Sequence, residues 1–269
     1  MQKSKLQLVL FDMDGTLTPP RQPMQLSIVR ALTRLQNAGF EIGIVTGSDL
    51  NYLQDQCNIL FDINSFDFEP VHWLPCNGTK YYKSNAAGVL KKKYEMDMIN
   101  SIGIDQYNKL LVNCFQLQKY IAEFTNCPLT GNFFNYRGSM LNWCPIGRSA
   151  NSDHRQKWEK IDTGNIVRLK WKSVLEDALK IHGIKNITVK LGGETSFDIY
   201  PVGWDKTYCL RNFEGYSKII FVGDRCFENG NDKDIYDYLK DSKIGSAYST
   251  KSPTETIKII DNIIREKNV

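Results

Sequence analysis

Two carboxylates separated by one residue, in Asp12-Met13-Asp14-Gly15-Thr16, follow directly on an apolar run at residues 6–11. At the C-terminal end of a buried strand, such a pair points into the crevice where open α/β sheets bind ligands. There the two can hold Mg2+, and one can attack phosphorus while the other moves a proton. Gly15 permits a backbone turn that brings amide N–H groups near a phosphate. A calcium loop would need further acidic residues downstream, whereas Leu17-Thr18-Pro19-Pro20 follows. A plain turn is the other reading.

Three further segments fit the same chemistry. Gly223-Asp224 ends a second apolar run and is followed by Gly230-Asn231-Asp232. Alone it is an ordinary turn, but with Asp12 and Asp14 it supplies the third carboxylate that a shared Mg2+ needs. Thr46-Gly47-Ser48 offers hydroxyls and amides for phosphate oxygens, although Ser48 or Asp49 could equally cap the next helix. Lys206 would neutralise charge beside a carboxylate nucleophile; on its own, a lysine is a surface residue.

These residues need rigid elements behind them, and the ends of the chain provide an alternation. Residues 6–11 and 42–45 are apolar runs that fit strands buried on both faces of a parallel sheet. Helix-like stretches follow at 24–37, with Gly39 as its stop, and at 50–57. The tail repeats the rhythm with strands at 218–222 and 243–248 and helices at 232–239 and 254–264. The expectation is a doubly wound parallel sheet. In the middle, polar and apolar alternation predicts hairpin strands over 132–143 and over 187–200, beside helices at 104–124 and 166–182. That reads as an α+β insert, with a core of residues 1–87 and 202–269 and an inserted cap of residues 88–201.

Composition narrows the class. The 269 residues carry a net charge of +4 and are 42% hydrophobic, which suits a globular protein of one or two domains. So mild a charge gives no footprint for nucleic acid, and Lys91-Lys92-Lys93 reads as a solvated face. No apolar run approaches the roughly 20 residues of a membrane span. The seven cysteines include no Cys-x-x-Cys pair and only three histidines accompany them, so free thiols are expected rather than a zinc site. Residues 1–5 run into the first strand without a signal-peptide apolar region, and the expectation is a cytoplasmic protein.

Taken in chain order, the four segments resemble the haloacid dehalogenase (HAD) superfamily of phosphotransferases. The resemblance implies Asp12 as the nucleophile that becomes an aspartyl-phosphate and Asp14 as general acid/base. Thr46 or Ser48 corresponds to its second motif, Lys206 to the third, and Asp224 to the fourth, a Mg2+ ligand. The insert matches that superfamily's larger cap.

Longer stretches are similar to the eukaryotic-type phosphomannomutases: residues 17–22, Tyr136-Arg137-Gly138-Ser139-Met140-Leu141-Asn142, Pro145-Ile146-Gly147-Arg148-Ser149, and residues 192–201 running into 203–210. By this resemblance Arg21, Arg137, Arg148 and Arg155 hold the phosphate remote from the reacting one, and Ser196 and Asp198 bind the sugar and that phosphate. Forked guanidinium groups suit phosphate oxygens, and several in one cap suit a substrate with a second phosphate. The implied reaction interconverts mannose 6-phosphate and mannose 1-phosphate with a hexose 1,6-bisphosphate activator, feeding GDP-mannose, in a homodimer joined through the caps. A sugar-phosphate phosphatase and a mutase of glucose phosphates are the alternatives. The chain departs from the family pattern at Cys76, where an acidic residue is usual, at Thr46, where glycine is usual, and at residues 225–229.

Overall fold

The computed structural model describes residues 6–63 and 66–267; the N-terminal pentapeptide lies outside them. It divides into two compact units, one running to Glu95 and resuming at Trp204, the other Met96–Gly203. No helix among the described residues is long and apolar enough to cross a membrane.

The first unit is built on a seven-stranded sheet. Its strands are β1 (Gln7–Phe11), β2 (Glu41–Val45), β3 (Val71–Leu74), β4 (Lys80–Ser84), β5 (Leu90–Glu95), β10 (Lys218–Gly223) and β11 (Gly245–Ser249), with β6–β9 in the second unit. The order is β11-β10-β1-β2-β3-β4-β5, parallel from β11 to β3 and antiparallel beyond. Alternate residues of the apolar strands feed two separate cores, as the period of two requires. Val9, Phe11, Ile42 and Ile44 pack with α1 (Leu26–Asn37) and α8 (Pro253–Lys267); Leu8, Leu10 and Phe221 pack with α7 (Lys233–Lys240) on the other face. The doubly wound sheet and its order carry the expected α/β architecture. The short α2 (Leu50–Gln56) follows β2.

The second unit holds the four-stranded antiparallel sheet β6-β7-β9-β8: β6 (Phe134–Tyr136), β7 (Leu141–Trp143), β8 (Ile187–Gly192) and β9 (Ser196–Pro201). Register puts Trp143 opposite Phe197, and their rings stack at 4.7 Å. The helices are α3 (Met98–Ile102), α4 (Ile104–Thr125), α5 (Ser152–Ile161) and α6 (Ile166–Ile181), with α6 packed on β8 and β9 and α4 on α6.

The boundary differs from residues 88 and 201. Strand β5 pairs along its length with β4 and so belongs to the first sheet, and the Val202 N–H donates to the Asn186 carbonyl at 2.9 Å, which keeps Val202 with the second unit. The lysine run lies on this outermost strand, where charges discourage edge-to-edge pairing. Among the described residues no disulfide joins the cysteines, and six of the seven are buried.

One polar network crosses the first sheet at its strand starts. His72 accepts or donates at 2.6 Å to Glu41 and 2.8 Å to Tyr81, and the Tyr216 hydroxyl donates to Glu41 at 2.6 Å. Burial lowers the His72 pKa below the ordinary 6.5, with Lys83 adding to it and Glu41 opposing. Burial would raise that of Glu41, but bonds from His72 and Tyr216 outweigh it and hold the carboxyl below 4.5. Both folded groups bind protons less readily than the unfolded chain. Stability is therefore complete near pH 7.5, falls as pH drops below 6.5 through the folded pKa of His72, and falls again below 4.5 through that of Glu41. Calorimetric melting from pH 7.5 to 4 is expected to show this two-stage decline, with the first stage absent in His72→Gln. A midpoint flat between pH 7 and 5 in the parent chain would remove His72 from this role.

Candidate active site

Strand β1 ends by delivering Asp12 to the C-terminal edge of the sheet, where its N–H donates to the Val222 carbonyl of β10 at 2.9 Å. Asp12 is 5% exposed. The Lys206 ammonium, fully buried at the start of a 3-10 turn, donates to the Asp12 carboxylate and to Asp232 Oδ1 at 2.5 Å. Asp205 caps that turn by accepting the Thr207 N–H at 2.8 Å, which fixes the backbone from which Lys206 projects. Asp224 follows β10, and Asp232, fully buried before α7, accepts the Arg225 N–H at 3.0 Å.

Asp12, Asp224 and Asp232 each present an oxygen within 4.8 Å of the others. Of the expected trio Asp12, Asp14 and Asp224, the Asp14 carboxylate stands outside this group. The chain turns sharply after β1, with the N–H groups of Leu17 and Thr18 both donating to the Met13 carbonyl at 2.9 Å. Asp14 thus leaves from a turn, not a strand. Its Oδ1 accepts the Arg21 main-chain N–H and the Tyr52 hydroxyl, each at 2.9 Å, while the Asp232 carboxylate occupies the third place in the cluster. Gly15 has φ +88°, and a Cβ there would lie 2.5 Å from Asp224 Oδ2, so only glycine lets this turn close against the cluster.

The electrostatics ask for a cation. Burial raises the Asp12 pKa well above the carboxylate range, with Asp232 and Asp224 adding to it and Lys206 opposing. Burial and the neighbouring Asp232 push Asp224 up to about 6. Burial alone would lower the Lys206 pKa, but the charges of Asp12 and Asp232 outweigh it and keep the ammonium protonated. One lysine faces three carboxylates, with Arg225 at 3.9 Å from Asp224. Asp224 Oδ1 is buried and accepts no hydrogen bond. A buried carboxylate oxygen without a donor, among other hard oxygen ligands, fits a divalent cation of the Mg2+ type.

At the end of β2, Thr46 is 3% exposed and its Oγ1 accepts the Ser48 N–H at 3.1 Å. The Ser48 carbonyl accepts from Cys76 and the Thr46 carbonyl from Asn77. The cap of α2 is Asp49, which accepts the Tyr52 N–H at 3.0 Å, so neither Thr46 nor Ser48 is engaged in capping.

The second unit gathers some of the expected anion-binding residues. Strand register sets Asn142 opposite Asp198. The Asn142 amide donates to Asp198 at 2.7 Å and accepts from the Arg148 guanidinium at 2.9 Å, while Arg137 lies 3.9 Å from the same Asp198 oxygen. Arg155 lies 3.8 Å from Glu194, and the Ser196 hydroxyl donates to the Gly192 carbonyl at 2.7 Å. The buried Arg168 pairs with Asp162 and donates to the Gly193 carbonyl at 2.9 Å, holding the turn between β8 and β9. Arg21 belongs to the first unit, in a turn closed by the Gln22 N–H on Pro19. Asp232, Asn142 and Tyr52 are the residues that the motifs did not single out. Asp232 had a signal in the Gly-Asn-Asp run at the start of a helix, and Asn142 closes the family-like stretch from Tyr136, whereas Tyr52 had none.

A parallel sheet with an acidic cluster and a buried lysine at its strand ends, interrupted by an α+β unit, is a HAD-like fold. An IMP-bound, N-terminally truncated IMP-nucleotidase from Plasmodium falciparum superposes with TM-score 0.64 at 16% identity, covering 98% of this chain and 69% of that one. The C-terminal domain of trehalose-6-phosphate phosphatase from C. albicans gives 0.60 at 17%, covering 97% and 93%. At such identities the likeness establishes the fold. Sequence goes further: the eukaryotic phosphomannomutase family model matches residues 28–266. The phosphomannomutase of Saccharomyces cerevisiae is 35% identical over 95% of this chain and 93% of its own length, and that of Spinacia oleracea 35% over 97% and 96%. The chain belongs to the eukaryotic phosphomannomutase family.

Proposed function

We propose that this chain interconverts mannose 6-phosphate and mannose 1-phosphate, with Asp12 as the phosphoryl carrier. The observation that carries this reading is the buried Asp12 carboxylate, bonded to Lys206 beside Asp224 and Asp232, in a member of that family. Mg2+ is the cation the cluster fits; Asp12, Asp224 and Asp232 would hold it, and when bound it neutralises phosphoryl charge. A hexose 1,6-bisphosphate phosphorylates Asp12. The phosphoryl group then passes to the free hydroxyl of a bound hexose phosphate: the bond from phosphorus to Asp12 breaks, a bond to the sugar oxygen forms, and Asp14 takes the hydroxyl proton. The bisphosphate so formed reorients and gives its other phosphoryl group back to Asp12, the bond from phosphorus to that sugar oxygen breaking as Asp14 returns the proton to it, which releases the isomeric monophosphate. Lys206 balances the charge left on Asp12, and the hydroxyls and amides at Thr46 and Ser48 bind the transferring phosphate. Arg21, Arg137, Arg148 and Arg155, with Ser196 and Asp198, hold the sugar and its other phosphate. Asn142 joins this group by fixing Arg148 against Asp198.

On this reading the product feeds GDP-mannose synthesis in the cytoplasm. The protein acts as a homodimer through the second unit, where α4 exposes Val112, Phe115 and Phe124.

Phosphorus NMR tests the proposal directly. With Mg2+, mannose 1-phosphate and a trace of glucose 1,6-bisphosphate, mannose 6-phosphate is expected to appear only when the bisphosphate is present. Free phosphate alone would favour hydrolysis, and faster conversion of glucose 1-phosphate would move the substrate assignment. Arg148→Ala is expected to slow the interconversion about a hundredfold more than the turnover of a small aryl phosphate, the worth of a charge-assisted pair. Equal losses in the two assays would remove Arg148 from the remote-phosphate role.

A further inference from the structure

We propose that the Tyr52 hydroxyl and the Arg21 main-chain N–H form a two-donor clamp on Asp14, which makes Tyr52 a positioning residue for proton transfer. The proposal rests on the reading of Asp14 as the general acid/base and names what aims it.

An aspartate leaving a turn has a soft side chain, because rotation about its Cβ–Cγ bond has only broad minima. Asp12 has no such freedom, being held by a buried lysine. Among the described residues no cation pairs with Asp14; its hold is different. Both donors meet the same oxygen, Oδ1, at 2.9 Å. Among the described residues Oδ2 receives no hydrogen bond, so the clamp fixes one oxygen and presents the other.

Each donor is itself prepared by the fold. Tyr52 sits in the first turn of α2, whose start is fixed by Asp49 accepting the Tyr52 N–H at 3.0 Å. Its ring packs against the apolar core beneath the sheet, so the hydroxyl projects from an anchored body. Arg21 has φ +59°, the left-handed region that non-glycine residues rarely adopt. Residues held there cluster where geometry serves function. That conformation aims the Arg21 N–H at Asp14.

The test compares two transfers that differ in their need for a proton. Attack of Asp12 on p-nitrophenyl phosphate expels p-nitrophenolate, a leaving group that departs unprotonated. Transfer to a hexose hydroxyl must shed a proton. In the full chain with Mg2+, Tyr52→Phe is expected to slow interconversion of mannose 1-phosphate about tenfold more than the single-turnover burst of p-nitrophenolate, with KM for mannose 1-phosphate within about twofold. The burst amplitude counts active protein, so partial unfolding leaves the comparison intact. Equal slowing of both transfers, or no slowing, overturns the clamp. Asp14→Asn separates the two readings, since it should show the same split, about a hundredfold or larger. A split in Asp14→Asn without one in Tyr52→Phe overturns the clamp alone. No split in Asp14→Asn overturns the acid/base reading and the clamp with it.

Discussion

Asp12→Asn is expected to lower the interconversion rate by at least about four orders of magnitude, as losing the nucleophile does in other covalent mechanisms. An amide cannot take up a phosphoryl group from a bisphosphate, so the mass increase of a phosphorylated enzyme disappears as well. The same substitution should leave the fold as stable or more so. Burial, chiefly, raises the Asp12 pKa above the unfolded value, so at neutral pH the ionised form costs folding free energy. An asparagine of the same shape removes that cost, keeps an oxygen for Lys206, and leaves the lysine its charged partner Asp232. Phosphorus NMR, intact mass and a melting curve on one preparation check all three statements. An active Asp12→Asn would displace the nucleophile to another residue. An inactive but destabilised one would mean that the Asp12 charge helps to hold the fold.

This outcome depends on a distinction that sequence spacing did not resolve. Asp12 and Lys206 were legible because each lies in a short motif whose neighbours fix its backbone, a strand end for one and a capped turn for the other. So was Asp224, at the end of a second apolar run, but the third carboxylate of the cluster was not. Asp14 is two residues from Asp12 and Asp232 is 220 further on, yet the cluster takes the distant carboxylate, because a turn after β1 carries Asp14 away toward Tyr52. Proximity in sequence fixes proximity in space only while an element stays regular. The lysine run illustrates the same limit on fold. Residues 90–95 have little apolar content, and β5 exists because β4 offers a free edge. A strand made by its neighbour leaves a weak mark in its own sequence. In the second unit, Asn142 stood in a family-like stretch, but its link between Arg148 and Asp198 became visible only through its register opposite Asp198.

Lys206 is where stability and chemistry meet, and its removal has the largest expected effect on the fold. Lys206→Met is similar in length and apolar, so packing is nearly kept while the ammonium is lost. Two carboxylates, Asp12 and Asp232, then face each other in a fully buried site with Asp224 beside them. Breaking one partner from a buried ion pair costs about 3–5 kcal/mol, because the remaining charge is uncompensated. At about 2–4 °C for each kcal/mol, the melting midpoint should fall by roughly 10 °C. Mg2+ should narrow the gap. A divalent cation among the same oxygens supplies part of the charge that the lysine supplied, and a ligand that binds only the folded state raises its stability by mass action. Melting with and without millimolar Mg2+ therefore separates two accounts of Lys206. If the cation restores the variant more than it stabilises the parent chain, lysine and metal share the task of offsetting these carboxylates. Equal stabilisation of the two proteins would mean that Lys206 acts on Asp12 and Asp232 independently of any bound ion, and that its main contribution is to hold the nucleophile in place.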